Sequence, residues 1–569
     1  VAGIAVRVCG SKKIVAGVLF VLLLSVVTGC CLGTEAGTGN VADVVRELIR
    51  GRIEAGAITQ RQPVSGEAIY SSVVLPTFYE RRAYVPAWIG DTGLTPSARD
   101  LVRAIRGGEA EGLRPEDYHL SRIGRLVERL ADGAPRTAGA NPRQLADLEL
   151  LLTDAFLIYG SHLLAGRVNP VTIDSEWRAN RREIDMAEVL ESAVLQNAIV
   201  EALESLRPPQ DGYARLKEAL KIYRRIAAAG GWAALPEGPK LRKGDTGSRV
   251  GLLRERLSVT GDLKAAGPAG DVFDDELESA VIAFQRRFGL DADGVVGPAT
   301  AAALNMSAEL RVRQIELNLE RWRWLPNDLG ARHILINIAN FELDVVEAGR
   351  EVLTMRAIVG RDYRRTPVFS DRMSYLVLNP YWHVPPKIAV DDILPKVRKD
   401  PGYLVENGFR VFRGWGADAE EIDPAGVDWA TMTGRDFVYR LRQDPGPLNA
   451  LGRVKFMFPN EFDVYLHDTP ARALFDKTVR TFSSGCIRIE KPIELAEYVL
   501  RGDAKWTREA ILEATDKRLE QTVRLPEQIL IHLLYWTAWV DGAGVVHFRD
   551  DIYGRDHLLD AALAEKPPI

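Results

Sequence analysis

The hydrophobic period of this chain changes partway along it, and the change limits what the chain can fold into. Over 41–234 the apolar residues recur with helical spacing, in long runs such as 148–164, punctuated at Gly107-Gly108, Ala134-Pro135 and Pro208-Pro209. From His333 the period becomes that of strands. Ile334, Ile336 and Ile338 alternate with Leu335 and Asn337, and further strand candidates fall at 353–359, 375–378, 454–458 and 462–466. The expected class is multidomain α+β, with a helical scaffold first and a β-rich domain after it.

Between these two regions, 241–305 reads as a small three-helix module. Val250, Leu253 and Leu257 share one helical face; Leu277, Val281, Phe284 and Phe288 share the next; and Gly297-Pro298 opens a third helix with proline in its first turn. A linker is expected at 306–330 and the β-rich domain at 331–505. Within the latter, about 386–450 is rich in Gly, Pro and charge, too long for an ordinary strand connection, and reads as a lid or capping insertion. A C-terminal segment, 506–569, is expected to pack back on the scaffold or the β-rich domain, with two short strands around Asp541-Gly542.

The first 33 residues differ in kind. Arg7, Lys12 and Lys13 precede an apolar run from Ile14 to Val27, then Thr28-Gly29-Cys30, the pattern of an export signal. As a helix that run would extend only about 21 Å, short of a hydrocarbon core of about 30 Å. Two readings stay open: a lipoprotein signal that leaves a lipidated Cys30, or an uncleaved membrane anchor. Residues 34–240 are then the scaffold. The net charge of −5 is spread over interspersed acids and bases, which gives no nucleic-acid footprint. The short basic pairs Arg181-Arg182 and Arg364-Arg365 read as solvated faces.

Cys486 is the only cysteine beyond position 31, and it stands in SSGCIR, nineteen positions after His467. A lone thiol kept in an exported chain, with a histidine in folding reach, points to a nucleophile and its base. Ser483, Ser484 and Gly485 make a small polar approach. Gly485 permits a tight turn, and amides near Gly485 and Cys486 are candidates to hold an oxyanion. In EFDVYLHD, Tyr465 and His467 are expected on one side of a strand and Phe462, Val464 and Leu466 on the other. Asp468 is too close along the chain to orient His467 with its side chain, so a backbone carbonyl is the expected orienter. His119, His162, His383, His532, His547 and His557 read as packing or surface residues, and no spacing suits a metal.

These motifs carry a resemblance. HDTPARALFDKTVRTFSSGCIRI resembles the signature of the L,D-transpeptidases, the YkuD-type catalytic domain, with His467 at the catalytic histidine, Cys486 at the nucleophile and Arg488 at the residue near the substrate carboxylate. Ser484 stands where most of the family has histidine, as it does in the scaffolded, YcbB-type branch. NLERWRWLP resembles that branch's linker, NPYWHVPP its central strand, and RQDPGPLNALGRVKFMFPN the entry to its catalytic strand. LRKGDTGSRVGLLRERL, AVIAFQRRFGL and DADGVVGPATAAALN resemble the peptidoglycan-binding type 1 domain.

The resemblance implies a periplasmic peptidoglycan L,D-transpeptidase that forms 3-3 cross-links through a Cys486 thioester, needs no cofactor or metal, and is acylated by carbapenems. Its partners would be tetrapeptide donor stems, diaminopimelate acceptors and cell-wall synthesis proteins. Trp382 would lie near the cleft, with substrate contact and core packing both open. The alternatives are a non-catalytic wall-binding scaffold, or the same enzyme with water or a protein lysine as acceptor.

Overall fold

The computed structural model describes residues 41–90, 93–131, 141–178, 182–264, 270–414, 416 and 418–565. The expected export segment, Cys30 included, lies outside them, as does Arg181.

The helical portion comprises α1 (Val41–Glu54), α2 (Val74–Arg81), a small ribbon of β1 (Ile89–Gly90) and β2 (Gly93–Leu94), α3 (Pro96–Arg106), α4 (Leu120–Ala131), α5 (Pro142–Ala165), α6 (Met186–Gln196), α7 (Ile199–Ser205) and α8 (Asp211–Ala228). Its starts are capped as the residue types demand: Thr95, Asn141 and Asp185 accept amide hydrogens at the heads of α3, α5 and α6. Helix α5 is long and apolar enough to cross a membrane, yet 94% of that window is buried in the protein. It is the core helix of the scaffold, and the other helices pack around it. His119 and His162 are buried there, bonded to Asp154 (2.8 Å) and to the Tyr118 hydroxyl (3.0 Å).

The module follows as α9 (Ser248–Val259), α10 (Asp275–Arg287) and α11 (Pro298–Asn305), with every face residue named above buried. Helix α12 (Ala308–Arg323) comes next. The region expected to be a linker is thus a rigid helix, with Leu317, Leu319, Trp322 and even Arg321 and Arg323 buried. It is apolar on several sides because it packs at once on α8, on the barrel described next and on the C-terminal hairpin.

The β-rich domain contains β3 (Arg332–Asn337), β4 (Glu342–Glu347), β5 (Arg350–Gly360), β6 (Phe369–Leu378), β7 (Trp382–His383), β8 (Phe409–Arg413), β9 (Glu420–Ile422), β10 (Tyr439–Gln443), β11 (Val454–Met457), β12 (Leu466–His467), β13 (Thr481–Ser483), β14 (Ile487–Ile489) and β15 (Gln521–Leu534). Its main sheet runs β13-β5-β14-β12-β11-β6-β15-β3-β4, and a further β4–β5 pairing closes it into a barrel. Ile334, Ile336, Leu343, Phe456, Leu466, Ile487 and Ile531 fill the interior. Each such side chain contributes about 1.5–3 kcal/mol on burial.

Two expectations are corrected here. The main sheet also runs past 505 into the C-terminal segment, because β15 lies between β6 and β3; Pro526 and a register shift between Arg524 and Ile529 break the alternation that would have announced this strand. NPYWHVPP is not a central strand, since β7 pairs with β10 in a separate antiparallel sheet, β7-β10-β8-β9. That sheet belongs to the insertion, which begins at Trp382 and has its own core of Val384, Ile393, Leu394, Leu404, Val411, Trp429 and Leu441. The strand expected at 462–466 is only β12. The side-chain carbonyl of Asn460 accepts the amides of Phe462 (3.0 Å) and Val464 (3.2 Å), and Asp463 has φ +53°, so the chain turns there before pairing.

The hairpin around Asp541-Gly542 is β16 (Ala538–Val540) and β17 (Val546–Phe548). Its Trp536, Ala538, Val540 and Phe548 share one core with α8, the module and α12. The final helix, Arg555–Ala564, returns to the barrel; Arg555, fully buried, pairs with Asp174 of the scaffold (2.9 Å) and donates to the Thr366 carbonyl (3.2 Å). His532 is buried between Ser370 and the Leu329 carbonyl, His547 pairs with Asp541, and His557 is exposed.

Candidate active site

Register assembles the site. In the parallel pair β12–β14, Leu466 faces Ile487 and His467 faces Arg488; in the antiparallel pair β11–β12, Phe456 faces Leu466 and Lys455 faces His467. Paired residues share a face and neighbours alternate. Leu466, Ile487 and Phe456 point into the barrel, so Lys455, His467 and Arg488 point out, with Cys486 and Tyr465 two positions along the same face. The Tyr465 and His467 ring centroids are 5.7 Å apart. Tyr465 lies beside the Cys486 thiol and favours its anion, and the sulfur reaches the Asp463 carbonyl at 3.8 Å.

His467 Nδ1 donates to the backbone carbonyl of Asp468 at 2.6 Å, which leaves Nε2 as the proton acceptor. The Asp468 carboxylate is used elsewhere, accepting the Arg453 amide at 2.9 Å. Burial, with Arg488 and Lys455 nearby, pushes the His467 pKa down to about 3. Burial also pushes the Cys486 thiol up, against the opposing pull of Tyr465, Lys455 and Arg488. Both shifts favour a neutral thiol and a neutral imidazole over a thiolate–imidazolium pair.

The nucleophile turn is stapled from below. Gly485 has φ +113°, a conformation that excludes other residues without strain. Its amide donates to Ser483 Oγ (3.2 Å), and Ser483 Oγ donates in turn to the Cys486 carbonyl. Ser483 and the Gly485 amide are thus spent on shaping the turn rather than free for an oxyanion. The Cys486 amide makes no hydrogen bond among the described residues. Thr366 donates to the Gly485 carbonyl (2.8 Å), and the Arg361 amide to that of Ser483 (3.1 Å).

Ser484 accepts from Arg364 (3.1 Å), whose guanidinium also pairs with Asp391 (3.0 Å) and Asp392 of the insertion. Arg364 is only 11% exposed, so it is a strut between cap and nucleophile turn and not part of a solvated basic pair. Arg182 is likewise half-buried, bonded to Asn327 (2.5 Å). Arg488 makes no ion pair among the described residues, and its Nε is buried without a partner. A half-buried guanidinium left without an anion is equipped to take a carboxylate. Trp382 is half-buried in the cap, its ring 5.9 Å from that of Phe409, and His383 is exposed. Among the described residues no three His, Cys, Asp or Glu side chains converge to hold a metal ion. Lys455 went unassigned in the sequence, Tyr465 was given only its side of the strand, and Arg364 was read as solvated; the one signal for Lys455 was a lysine interrupting the apolar run Val454, Phe456.

A closed barrel with an outward Cys–His face, carried on a helical scaffold, is a combination that known proteins share with this chain. The chain carries the L,D-transpeptidase catalytic domain of the YkuD family over residues 331–509, together with a scaffold domain over 74–220 and a "Putative peptidoglycan binding domain" over 246–304. It is 35% identical over 252 residues to a "Putative L,D-transpeptidase" of Haemophilus influenzae, covering 44% of this chain and 49% of that one, so it spans about half the length of this curated relative. Solved structures with local likeness include an L,D-transpeptidase of Xylanimonas cellulosilytica (18% identity, 52% of this chain, 98% of that one, TM-score 0.15) and one of Stackebrandtia nassauensis (12%, 53%, 96%, TM-score 0.20). Those scores are too low to establish a common overall fold.

Proposed function

We propose that this protein is a peptidoglycan L,D-transpeptidase working through a Cys486 thioester. The observation that carries the reading is the single face holding Cys486, Tyr465, His467 and Arg488, with His467 Nε2 left free by its Nδ1 bond to Asp468. As the sulfur attacks the carbonyl between the third stem residue and D-Ala, the thiol proton passes to His467 Nε2. The Cys486 amide is the donor for the developing oxyanion; such a donor is commonly worth about 3 kcal/mol. The C–N bond breaks and D-Ala leaves with the proton from His467; a side-chain amine of a second stem then attacks the thioester, gives a proton to His467, and the C–S bond breaks as the Cys486 sulfur leaves and takes that proton back, which yields a 3-3 cross-link. Arg488 holds a substrate carboxylate.

The domains present imply a peptidoglycan substrate and an extracytoplasmic location. Periplasmic residence, an anchor through 1–33 or a lipid on Cys30, and recruitment by cell-wall synthesis proteins belong to the proposal. The test is mass spectrometry of products from a purified disaccharide-tetrapeptide. A dimer joined through two third-position residues is expected. Tripeptide alone would make water the acceptor, and no change would leave a wall-binding scaffold. Cys486→Ser and His467→Ala should each abolish the thioester and the carbapenem adduct on the Cys486 peptide without loss of fold; cross-links from Cys486→Ser would overturn the assignment.

A further inference from the structure

Lys455 stands on β11 opposite His467, in a strand whose neighbours Val454 and Phe456 are fully buried in the barrel. Its ammonium lies 3.9 Å from the centroid of the Tyr465 ring. It is half-buried and makes no ion pair or hydrogen bond among the described residues. Desolvating a cation with no anion beside it costs free energy, and a barrel strand would be more stable with an apolar or β-branched residue there. The tyrosine whose face it covers is the one beside the Cys486 sulfur that favours its anion. A cation against a phenol ring draws electron density from the hydroxyl and makes it a stronger hydrogen-bond donor.

We propose that Lys455 is a positioning residue for Cys486: acting through Tyr465, it stabilises the sulfur anion that forms as His467 takes the thiol proton. This rests on the reading of Cys486 as nucleophile. Lys455 acts through its charge and passes no proton itself. The other charges facing this corner are Arg488 on β14, which acts in the same direction, and Arg361 close to it. Burial lowers the Lys455 pKa, while Glu520 before β15 and Asp463 before β12 favour its charged form. His467 on β12 is neutral.

The experiment is the pH profile of Cys486 alkylation by iodoacetamide in the full chain, read on the Cys486 peptide by mass spectrometry from pH 6 to 11. Lys455→Met should displace the profile upward by about one pH unit, slowing alkylation at pH 8 about tenfold, while Lys455→Arg stays within about threefold of the parent. Lys455→Gln, with a polar end on a similar stem, repeats the test should Met disturb packing, and thermal melting separates misfolding from the effect sought. A Lys455→Met profile that superimposes on the parent overturns the proposal, as do Met and Arg profiles displaced equally. Failure of the transpeptidase reading would show instead in the products of Cys486→Ser.

Discussion

His467 is held neutral by burial, with its pKa near 3 instead of the usual 6.5, and this sets the acid side of the chemistry. The base is competent only when unprotonated, and it stays so well below pH 6. The acylation rate of Cys486 by a tetrapeptide or a carbapenem is therefore expected to be flat between pH 5 and 7. A tenfold fall per unit below pH 6.5 would mean that His467 titrates as an ordinary surface histidine. The same shift bears on stability with a definite sign. Between pH 6.5 and 3 the unfolded chain binds a proton at this position that the folded chain refuses, so this contribution is lost as pH falls through that window. Cys486 and His467 were legible in the sequence because few residue types can do their chemistry. Tyr465 and Lys455 were not, because phenols and lysines abound and only the strand register shows that they share a face with the thiol.

At the scale of elements, the site is a turn between β13 and β14 roofed by an insertion that folds as a unit. The insertion was legible as a long excursion rich in Gly and Pro, but its start was not. Trp382-His383 reads as a continuation of the apolar strand before it, and only its pairing with β10 transfers it to the cap. Arg364, bridging Ser484, Asp391 and Asp392, is the one side chain of the β5–β6 connection that reaches both. Arg364→Gln should speed amide hydrogen exchange in 389–399 several-fold while leaving β5 and β6 unchanged, and high salt should produce a weaker version of the same effect because the pairs are partly shielded from solvent. Equal exchange in parent and variant would show that the cap's own contacts suffice to seat it.

In the molecule as a whole, the peptidoglycan-binding module is cemented in place, sharing one core with α8, α12 and the hairpin β16–β17, where Phe288 stacks on Phe548. The three helices of the module were legible from their apolar faces, but a face does not reveal what covers it. Removing residues 246–304 should uncover Trp536 and Phe548, raising dye binding and protease sensitivity at the C-terminal hairpin; a resistant, dye-silent product would show that the module is dispensable to the core. Strand β15 carries the last consequence. It follows every other barrel strand in the sequence, yet it lies between β6 and β3, so a ribosome must pass residue 534 before the barrel can close. The strands that carry Cys486 and His467 cannot lock early, and a chain cut short before Gln521 is left with an open sheet. Assembly order thus keeps the growing chain unclosed until its last barrel strand exists.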